Sequence, residues 1–192
     1  MSDIRVVVAE DEAIIRMDLV EVLREEGYDV VAHTGRGDDA VALVMEHRPD
    51  LALLDVKMPG MTGIEAAREI TSSADTAVVM LTAFSQRELI HEASDAGAMA
   101  YLVKPYQRED LVPAVELAIA RRREAAALRS ELDAAEQRFE ERKTIDRAKG
   151  KLIDEHSLSE GDAFTFLQRS AMSSRRRMID VAHEVLAGDA TP

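Results

Sequence analysis

The stretch Leu51-Ala52-Leu53-Leu54-Asp55 is a short apolar run that ends in a carboxylate. Three other runs also end in polar or charged residues, and these are Val6–Ala9 before Glu10-Asp11, Val78–Leu81 before Thr82, and Tyr101–Val103 before Lys104-Pro105. Short apolar runs separated by helical patterns are typical of parallel strands. The carboxyl ends of such strands meet at one crevice of an open sheet. The pattern therefore predicts one pocket that holds three acids, a hydroxyl and an ammonium group.

The composition is that of a globular protein. The chain has 192 residues, 46% of them hydrophobic, which is enough for one core or for a small domain with an appendage. No apolar run approaches the roughly eighteen residues of a membrane span, and Met1-Ser2-Asp3 leads directly into a strand, so neither a span nor a signal peptide is predicted. Because there is no cysteine, a disulfide framework and thiolate metal sites are excluded. We expect a cytoplasmic protein.

The net charge of −13 is unevenly distributed. Residues 1–120 contain 10 Lys and Arg against 23 Asp and Glu, whereas residues 121–192 contain 14 of each kind. The acidity therefore belongs to the first part, and the second part is neutral with basic clusters. This asymmetry predicts two domains with different partners.

Strand and helix patterns alternate five times within residues 1–120. The predicted strands are followed by helical patterns, among them 38–46, 64–70 and 86–96, and Ser85 is expected to cap the last of these. This alternation predicts an α/β domain with a doubly wound, five-stranded parallel sheet.

A long helix should follow this domain, because residues 110–149 contain no glycine and a single proline, Pro113, near the helix start. Apolar residues step by 4, 3 and 4 through Leu128, Leu132, Ala135 and Phe139, which is typical of a coiled-coil seam. The next position is Arg142, where the seam ends. Residues 121–141 are therefore predicted to be a helical coiled-coil linker.

The last residues, 142–192, resemble a small all-α domain of three helices. A new apolar stripe begins at Ile145, and Gly150 allows a kink or a close approach. Ser159 and Asp162 form a capping pattern before the next helix, and Ser173 or Ser174 is expected to cap the final one. A core of this size is marginal, so packing on a second chain is expected.

The chemistry of the predicted pocket suits phosphate. Clustered carboxylates repel one another unless a cation lies between them, and Mg²⁺ binds one or two carboxylates together with a phosphate oxygen. Glu10, Asp11 and Asp55 fit that role, and one carboxylate can accept a phosphoryl group. Thr82 and Lys104 could bind phosphoryl oxygens. Individually each residue could be a solvated loop residue, but five compatible groups at four strand ends favour a site.

A competing pattern is Gly35-Arg36-Gly37-Asp38-Asp39-Ala40, which matches the G-x-G-x-x-A signature of dinucleotide-binding enzymes. It follows the second predicted strand rather than the first. Its two aspartates also stand where a pyrophosphate needs bare amides. An ordinary turn is therefore the favoured interpretation.

Taken together, Glu10-Asp11, Asp55, Thr82 and Lys104-Pro105 resemble the signature of the two-component receiver domain, over about residues 3–120. The resemblance implies a flavodoxin-like fold with Asp55 as phosphoacceptor and a sensor histidine kinase as partner. It further implies that Mg²⁺ is held by Glu10, Asp11, Asp55 and the Lys57 carbonyl, and that Thr82 and Tyr101 form a conformational switch. Many receivers have aspartate where this chain has Glu10.

The C-terminal part resembles the ANTAR domain of transcription antiterminators, over about residues 125–187. The resemblance rests on Arg147-Ala148-Lys149-Gly150 and on Ala163-Phe164, Leu167, Arg169 and Ala171. It implies a dimer that binds hairpins in nascent leader RNA so that a terminator cannot form. The candidate RNA-binding residues are Arg147, Lys149, Lys151, Arg169, Arg175 and Arg176.

Two other outputs remain open. A helix-turn-helix unit would bind DNA, although residues 163–171 are mostly apolar for a recognition helix. A helical tail that only dimerises or docks on protein is the other alternative, and then Arg175-Arg176-Arg177 would be a solvated helix start. With any of these outputs, the chain is predicted to be a signalling protein rather than an enzyme.

Overall fold

Five parallel strands form one sheet in the order β2-β1-β3-β4-β5. In the computed structural model, which describes residues 4–83 and 87–191, the strands are β1 (Arg5–Ala9), β2 (Asp29–Thr34), β3 (Leu51–Asp55), β4 (Ala77–Thr82) and β5 (Ala100–Val103). The central strands are uninterrupted apolar runs because both faces of the sheet are covered. The predicted sheet is confirmed.

Helices cover both faces of this sheet. The helices that follow the strands are α1 (Ala13–Glu25), α2 (Gly37–His47), α3 (Gly63–Ser73), α4 (Arg87–Asp95) and α5 (Arg108–His156). Val6 and Val8 of β1 point into a core with α1 and α5, whereas Val7 and Ala9 point into a second core with α2, α3 and α4. This alternation along one strand gives the doubly wound arrangement.

The chain divides into two compact units, Met1–Ala127 and Leu128–Pro192. In the second unit, the end of α5 packs with α6 (Glu160–Ser174) and α7 (Met178–Ala187). Its core contains Ala148 and Leu152 of α5, Leu167 of α6, and Val181 and Val185 of α7, all nearly inaccessible to solvent. The predicted small all-α unit is confirmed, with the end of α5 as its first helix.

Helix caps show where local sequence decides a boundary and where it does not. The Ser159 hydroxyl accepts a hydrogen bond from the Asp162 backbone N–H, as predicted. The expectation that Ser173 or Ser174 caps the final helix was wrong, because α6 continues through both and their hydroxyls bond to the Ser170 carbonyl. Arg177 occupies the N-cap position of α7. The predicted cap Ser85 lies outside the described residues.

The segment predicted to form a coiled-coil seam is a continuous part of α5. Leu128, Leu132 and Phe139 leave 61%, 59% and 67% of their surfaces accessible in the single chain. Gly150 lies inside the same helix, and a Cβ placed there meets nothing within 4 Å. Within the described residues, none of the helices is long and apolar enough to span a bilayer.

Candidate functional site

The sheet order brings the predicted pocket together. β1 lies between β2 and β3, so the chain reverses its winding direction at β1 and β3, where a crevice opens at the carboxyl ends. Glu10 follows β1, Asp55 ends β3 and Thr82 ends β4. Lys104 follows β5, and its peptide bond to Pro105 is cis. All four strand-end groups therefore lie along this edge.

Three carboxylates and one ammonium group form the centre of the site. Ligand oxygens of Glu10, Asp11 and Asp55 all lie within 4.8 Å of one another. The Lys104 Nζ donates to Glu10 Oε2 at 2.5 Å and to Asp55 Oδ2 at 3.0 Å. Glu10 and Asp55 are buried, whereas Asp11 is exposed. Lys104 thus lies between two buried acids, and the exposed carboxylate marks the solvent side.

Burial and charge act in opposite directions on these groups. Burial raises the pKa of the Glu10 carboxyl; the hydrogen bond from Lys104 opposes that increase, and the nearby Asp55 charge adds to it. Burial acts to lower the pKa of the Lys104 ammonium, but its bonds to Glu10 and Asp55 outweigh burial and raise it. The lysine is therefore held in its charged form between the acids.

This donor set suits a hard divalent cation. Three carboxylates within reach of one point supply oxygen ligands, and oxygen is the donor that Mg²⁺ prefers. The single ammonium group leaves the three acids with excess negative charge, which a cation would neutralise. Lys57, whose carbonyl is the predicted fourth ligand, lies in the exposed loop after β3.

The two predicted switch residues lie on neighbouring strands. Thr82 is buried, and its backbone carbonyl accepts a hydrogen bond from the Lys104 N–H at 2.7 Å. Tyr101 on β5 is 48% exposed. The buried Thr82 hydroxyl at the pocket and the half-exposed Tyr101 ring therefore lie on adjacent strands.

Packing around the pocket includes contacts that sequence reasoning missed. Gly63 begins α3 beside β3, and a Cβ there would lie 1.9 Å from the Asp55 carbonyl oxygen. On α1, the Arg16 Nη1 donates to the Glu10 carbonyl oxygen at 2.5 Å. Arg16 lies one turn before the buried Leu19 and Val20 of α1, and a charged residue at that helical spacing was the available signal for this contact.

The glycines of the dinucleotide-like pattern have a packing role. Gly37 begins α2, and a Cβ there would lie 2.0 Å from the Met61 carbonyl oxygen. The Arg36 guanidinium pairs with the Asp38 carboxylate at 2.6 Å. The turn is therefore closed by the loop after β3 and by its own ion pair, which supports the interpretation as an ordinary turn.

The six predicted RNA-binding residues fall into two groups. Lys149 pairs with Asp146 at 2.8 Å and Glu160 at 3.0 Å, which connects α5 to the start of α6. Lys151 donates to the Leu186 carbonyl at 3.0 Å, and Arg176 pairs with Glu184 of α7 at 2.5 Å.

The other three residues, Arg147, Arg169 and Arg175, are exposed. Their side chains make no ion pair or hydrogen bond with the rest of the described chain. Arg175 has a positive φ of 54° at the end of α6, where the chain turns towards α7. These guanidinium groups are accessible without disruption of the fold.

Comparisons with known proteins agree with both units. Residues 6–116 match the response regulator receiver domain, and residues 133–186 match the ANTAR domain. The receiver domain of the putative response regulator NarL from Mycobacterium tuberculosis is 32% identical with a TM-score of 0.60, covering 62% of this chain and 98% of that one. The chemotaxis protein CheY of Bacillus subtilis is 36% identical over 58% of this chain and 93% of its own length.

The fold and the acidic pocket define a response regulator, a signalling protein rather than an enzyme. The chain belongs to the response regulators that join a receiver domain to an ANTAR RNA-binding domain. It is similar to the transcriptional regulatory protein PdtaR of Mycobacterium tuberculosis, with 54% identity over 98% of this chain and 92% of that protein. The receiver implies a kinase as phosphodonor.

Proposed function

We propose that phosphorylation of Asp55 controls the binding of this protein to hairpins in nascent leader RNA, and that the bound dimer prevents formation of a terminator. The observation that supports phosphorylation of Asp55 is the pocket in which Asp55, Glu10 and Asp11 converge beside Lys104. The proposed RNA binding rests on the ANTAR match and on exposed arginines in the helical unit.

In the proposed transfer, an Asp55 carboxylate oxygen attacks the phosphorus of a phosphohistidine on the kinase. The new O–P bond forms while the P–N bond breaks, and the histidine nitrogen leaves with its electron pair. Bound Mg²⁺ would neutralise the carboxylates and phosphoryl oxygens during this step. Lys104 would move its hydrogen bond from Asp55 to a phosphoryl oxygen, and the Thr82 hydroxyl would bind another.

These new bonds would connect phosphorylation in the pocket to a change at the surface around Tyr101. Thr82 would turn towards the phosphoryl group, and the volume it vacates would admit the Tyr101 ring. Phosphorylation can shift the output only by the difference in free energy that it makes between the two conformations. We propose that the altered surface around β5 and α5 favours a dimer formed through residues 114–140.

The ANTAR unit would bind RNA mainly through Arg147, Arg169 and Arg175. These side chains are exposed without intrachain partners in the described residues, whereas Lys149, Lys151 and Arg176 would first have to release the carboxylates and carbonyl they now bind. RNA recognition by guanidinium groups combines phosphate contacts with stacking on unpaired bases. The three paired residues would instead hold the helices in the binding arrangement.

The surface of α6 favours RNA over duplex DNA. The helix buries Ala163, Leu167 and Ala171, while Phe164 is 43% exposed and Met172 is 73% exposed. A recognition helix in a major groove needs polar groups that reach base edges. An exposed aromatic ring is better suited to stack on a splayed loop base.

A gel-shift experiment tests the proposal. The full chain is titrated into a library of RNA hairpins with randomised loops, and into duplex DNA of equal length, with and without a small-molecule phosphodonor. We expect tighter binding to hairpins, and a gain with phosphodonor that Asp55→Asn abolishes. Tighter binding to duplex at matched salt, or a full phosphodonor response by the variant, would overturn the proposal.

The basic residues are tested by matched charge removal. Arg147→Gln, Arg169→Gln and Arg175→Gln should each weaken hairpin binding and lower the salt slope by about 0.7 per lost phosphate contact. Arg123→Gln removes the same charge from an exposed position of α5 outside the ANTAR match, and should leave binding unchanged. Salt-insensitive binding would favour a tail that docks on protein.

A further inference from the structure

Residues 128–139 of α5 present an apolar stripe that no other described part of the chain covers. Leu128, Leu132 and Phe139 are each more than half exposed, and Ala135 completes the 4-3-4 spacing. We call these four residues the seam. Most other positions of this segment are charged or polar. A solvent-exposed helix does not need leucine and phenylalanine on one side, so the stripe marks an interface.

The segment around the seam is nearly symmetric about its midpoint, which lies between residues 133 and 134. Arg129 and Arg138 are equally distant from this point, and so are Glu131 and Glu136. The seam follows the same rule, because Leu128 mirrors Phe139 and Leu132 mirrors Ala135. Residues 128–132 have the pattern L-R-x-E-L, and residues 135–139 have the pattern A-E-x-R-F. The same kinds of residue therefore follow one another in opposite order in the two halves of the segment.

We propose that two copies of this chain pair through the seam as an antiparallel coiled coil. The proposal rests on the dimer of the proposed function and adds its direction and register. A two-fold axis through the midpoint and perpendicular to the helix maps the segment onto itself, which is the symmetry of an antiparallel homodimer. Leu128 then packs against the partner's Phe139, and Leu132 packs against the partner's Ala135.

The flanking charges select this orientation. Arg129 and Glu136 lie on one flank of the seam, and Glu131 and Arg138 lie on the other. When the partner helix runs in the opposite direction, each flank of the seam lies beside the same flank of the partner's seam. Arg129 then lies beside the partner's Glu136, and Glu131 lies beside the partner's Arg138. Symmetry repeats both contacts, so all four flanking pairs join opposite charges.

The parallel arrangement brings unlike flanks together and gives the reverse result. Within residues 128–139, Glu131 would face the partner's Glu136, symmetry would repeat this repulsion, and no flanking pair would attract. Antiparallel registers shifted by one heptad place Arg129 beside the partner's Arg129, or Glu136 beside the partner's Glu136. Among contacts made by residues 128–139 alone, the midpoint register is therefore the antiparallel one in which every flanking pair attracts.

Direction and length have functional consequences. Four layers are too few for a tight coiled coil on their own, so the pair is weak and can respond to phosphorylation or to bound RNA. With a rise of 1.5 Å per residue, the two Phe139 positions are roughly 16 Å apart along the axis. The segments that follow the seam therefore leave the pair at opposite ends, which suits two separated RNA elements.

Cysteine cross-linking tests the direction, because the natural chain has no cysteine to interfere. Full-length Leu128→Cys and Phe139→Cys proteins, one of them carrying a size tag, are mixed with phosphodonor and mildly oxidised. We expect a disulfide between the two variants and little within either. Ser130→Cys and Gln137→Cys lie on the outer side of the helix and should not cross-link in any mixture.

A charge reversal tests the orientation with the seam intact. Glu136→Arg places two arginines together in the antiparallel pair, so its dissociation constant should rise about tenfold by sedimentation. In a parallel pair the same change would remove a repulsion and tighten the dimer. Arg129→Glu combined with Glu136→Arg should restore the parent value. Asp133→Arg, which changes the charge equally on the outer side, should have little effect.

The outcomes separate this proposal from the proposed function. Disulfides within each single variant, or a tighter dimer for Glu136→Arg, would overturn the antiparallel pair and leave a dimeric regulator. A chain that stays monomeric at high concentration with phosphodonor would overturn the pair and the dimer. Hairpin binding is measured separately, so the RNA-binding output stands or fails by its own experiment.

Discussion

The Lys104 ammonium nitrogen lies 3.0 Å from a carboxylate oxygen of Asp55, the residue that we propose accepts phosphate. The same nitrogen binds Glu10, whose side chain is fully buried. One cation therefore stabilises two acids that would otherwise repel each other, and it is already positioned to bind a group that forms on Asp55.

Replacement of Lys104 should destabilise the receiver domain in a way that Mg²⁺ partly reverses. Lys104→Met leaves two buried carboxylates unpaired, which costs roughly 3 kcal/mol. Urea unfolding of the variant and the parent, with and without MgCl₂, measures this difference. We expect Mg²⁺ to stabilise the variant more than the parent, because the ion no longer competes with the ammonium group.

The matched control is Lys143→Met, which removes a lysine whose side chain is 59% exposed. It should change the unfolding free energy by less than about 0.5 kcal/mol. An equal response to MgCl₂ in all three proteins would contradict the assignment of the cation to Glu10, Asp11 and Asp55.

A methyl group at Gly63 should damage both stability and phosphorylation. The Cβ of Gly63→Ala would lie 1.9 Å from the Asp55 carbonyl oxygen, so the backbone must move. Such overpacking typically costs about 1–3 kcal/mol, and the displacement should slow phosphate uptake at the adjacent carboxylate. Denaturant unfolding and the rate of mass gain with a phosphodonor measure the two effects.

Gly150→Ala provides the opposite case in the same chain. Its Cβ meets nothing within 4 Å and the position lies inside α5, so the change should stabilise the second unit by about 0.5–1 kcal/mol. A loss of stability at Gly150, or none at Gly63, would contradict this account of the two glycines.

Removal of the Ser159 hydroxyl should destabilise the ANTAR unit. Ser159 accepts a hydrogen bond from the Asp162 N–H at 3.1 Å, and loss of such a cap typically costs about 1 kcal/mol. Ser159→Ala is compared with Ser173→Ala, whose hydroxyl bonds within α6 to the Ser170 carbonyl. Thermal unfolding should show a clear decrease for the first variant and almost none for the second; equal decreases would argue against the cap.

The Asp146 carboxyl should titrate at unusually low pH. Its hydrogen bond from Lys149 lowers its pKa, with Arg142 as a weaker electrostatic contributor. Because the folded pKa lies below the unfolded value, the interaction is fully present above the unfolded pKa and is lost as pH falls through the folded one. NMR titration should show the pKa rise in Lys149→Gln and rise less in Arg142→Gln. A similar rise in both variants would contradict the assigned cause.

Much of the pocket could be predicted because its residues follow apolar runs. Glu10, Asp55, Thr82 and Lys104 each end or follow a strand, and parallel strands place their carboxyl ends along one edge. Arg16 and Gly63 could not be assigned in this way. Their roles depend on which carbonyl oxygen lies opposite them in space, and no periodic pattern encodes that contact.

The helical part was less completely predictable. The seam and the Ser159 cap are local patterns: the seam residues lie within α5, and Ser159 caps α6, as expected. The end of α6 was misplaced because Ser173 and Ser174 suit a cap but also bond to the preceding turn. Packing of Ala171 against α5 and α7 in the core favours continuation of the helix.

By itself, the sequence determined the order of elements, the acidic strand ends and the two-part organisation, because these depend on local composition and periodicity. Tertiary structure alone decided that Lys104 bridges Glu10 and Asp55, which are 94 and 49 positions away in the chain. It also decided that Lys149 reaches Glu160 of α6 while Arg147 is accessible. Such pairings are set by folding of distant segments against one another, and a residue's neighbours in sequence carry no record of them.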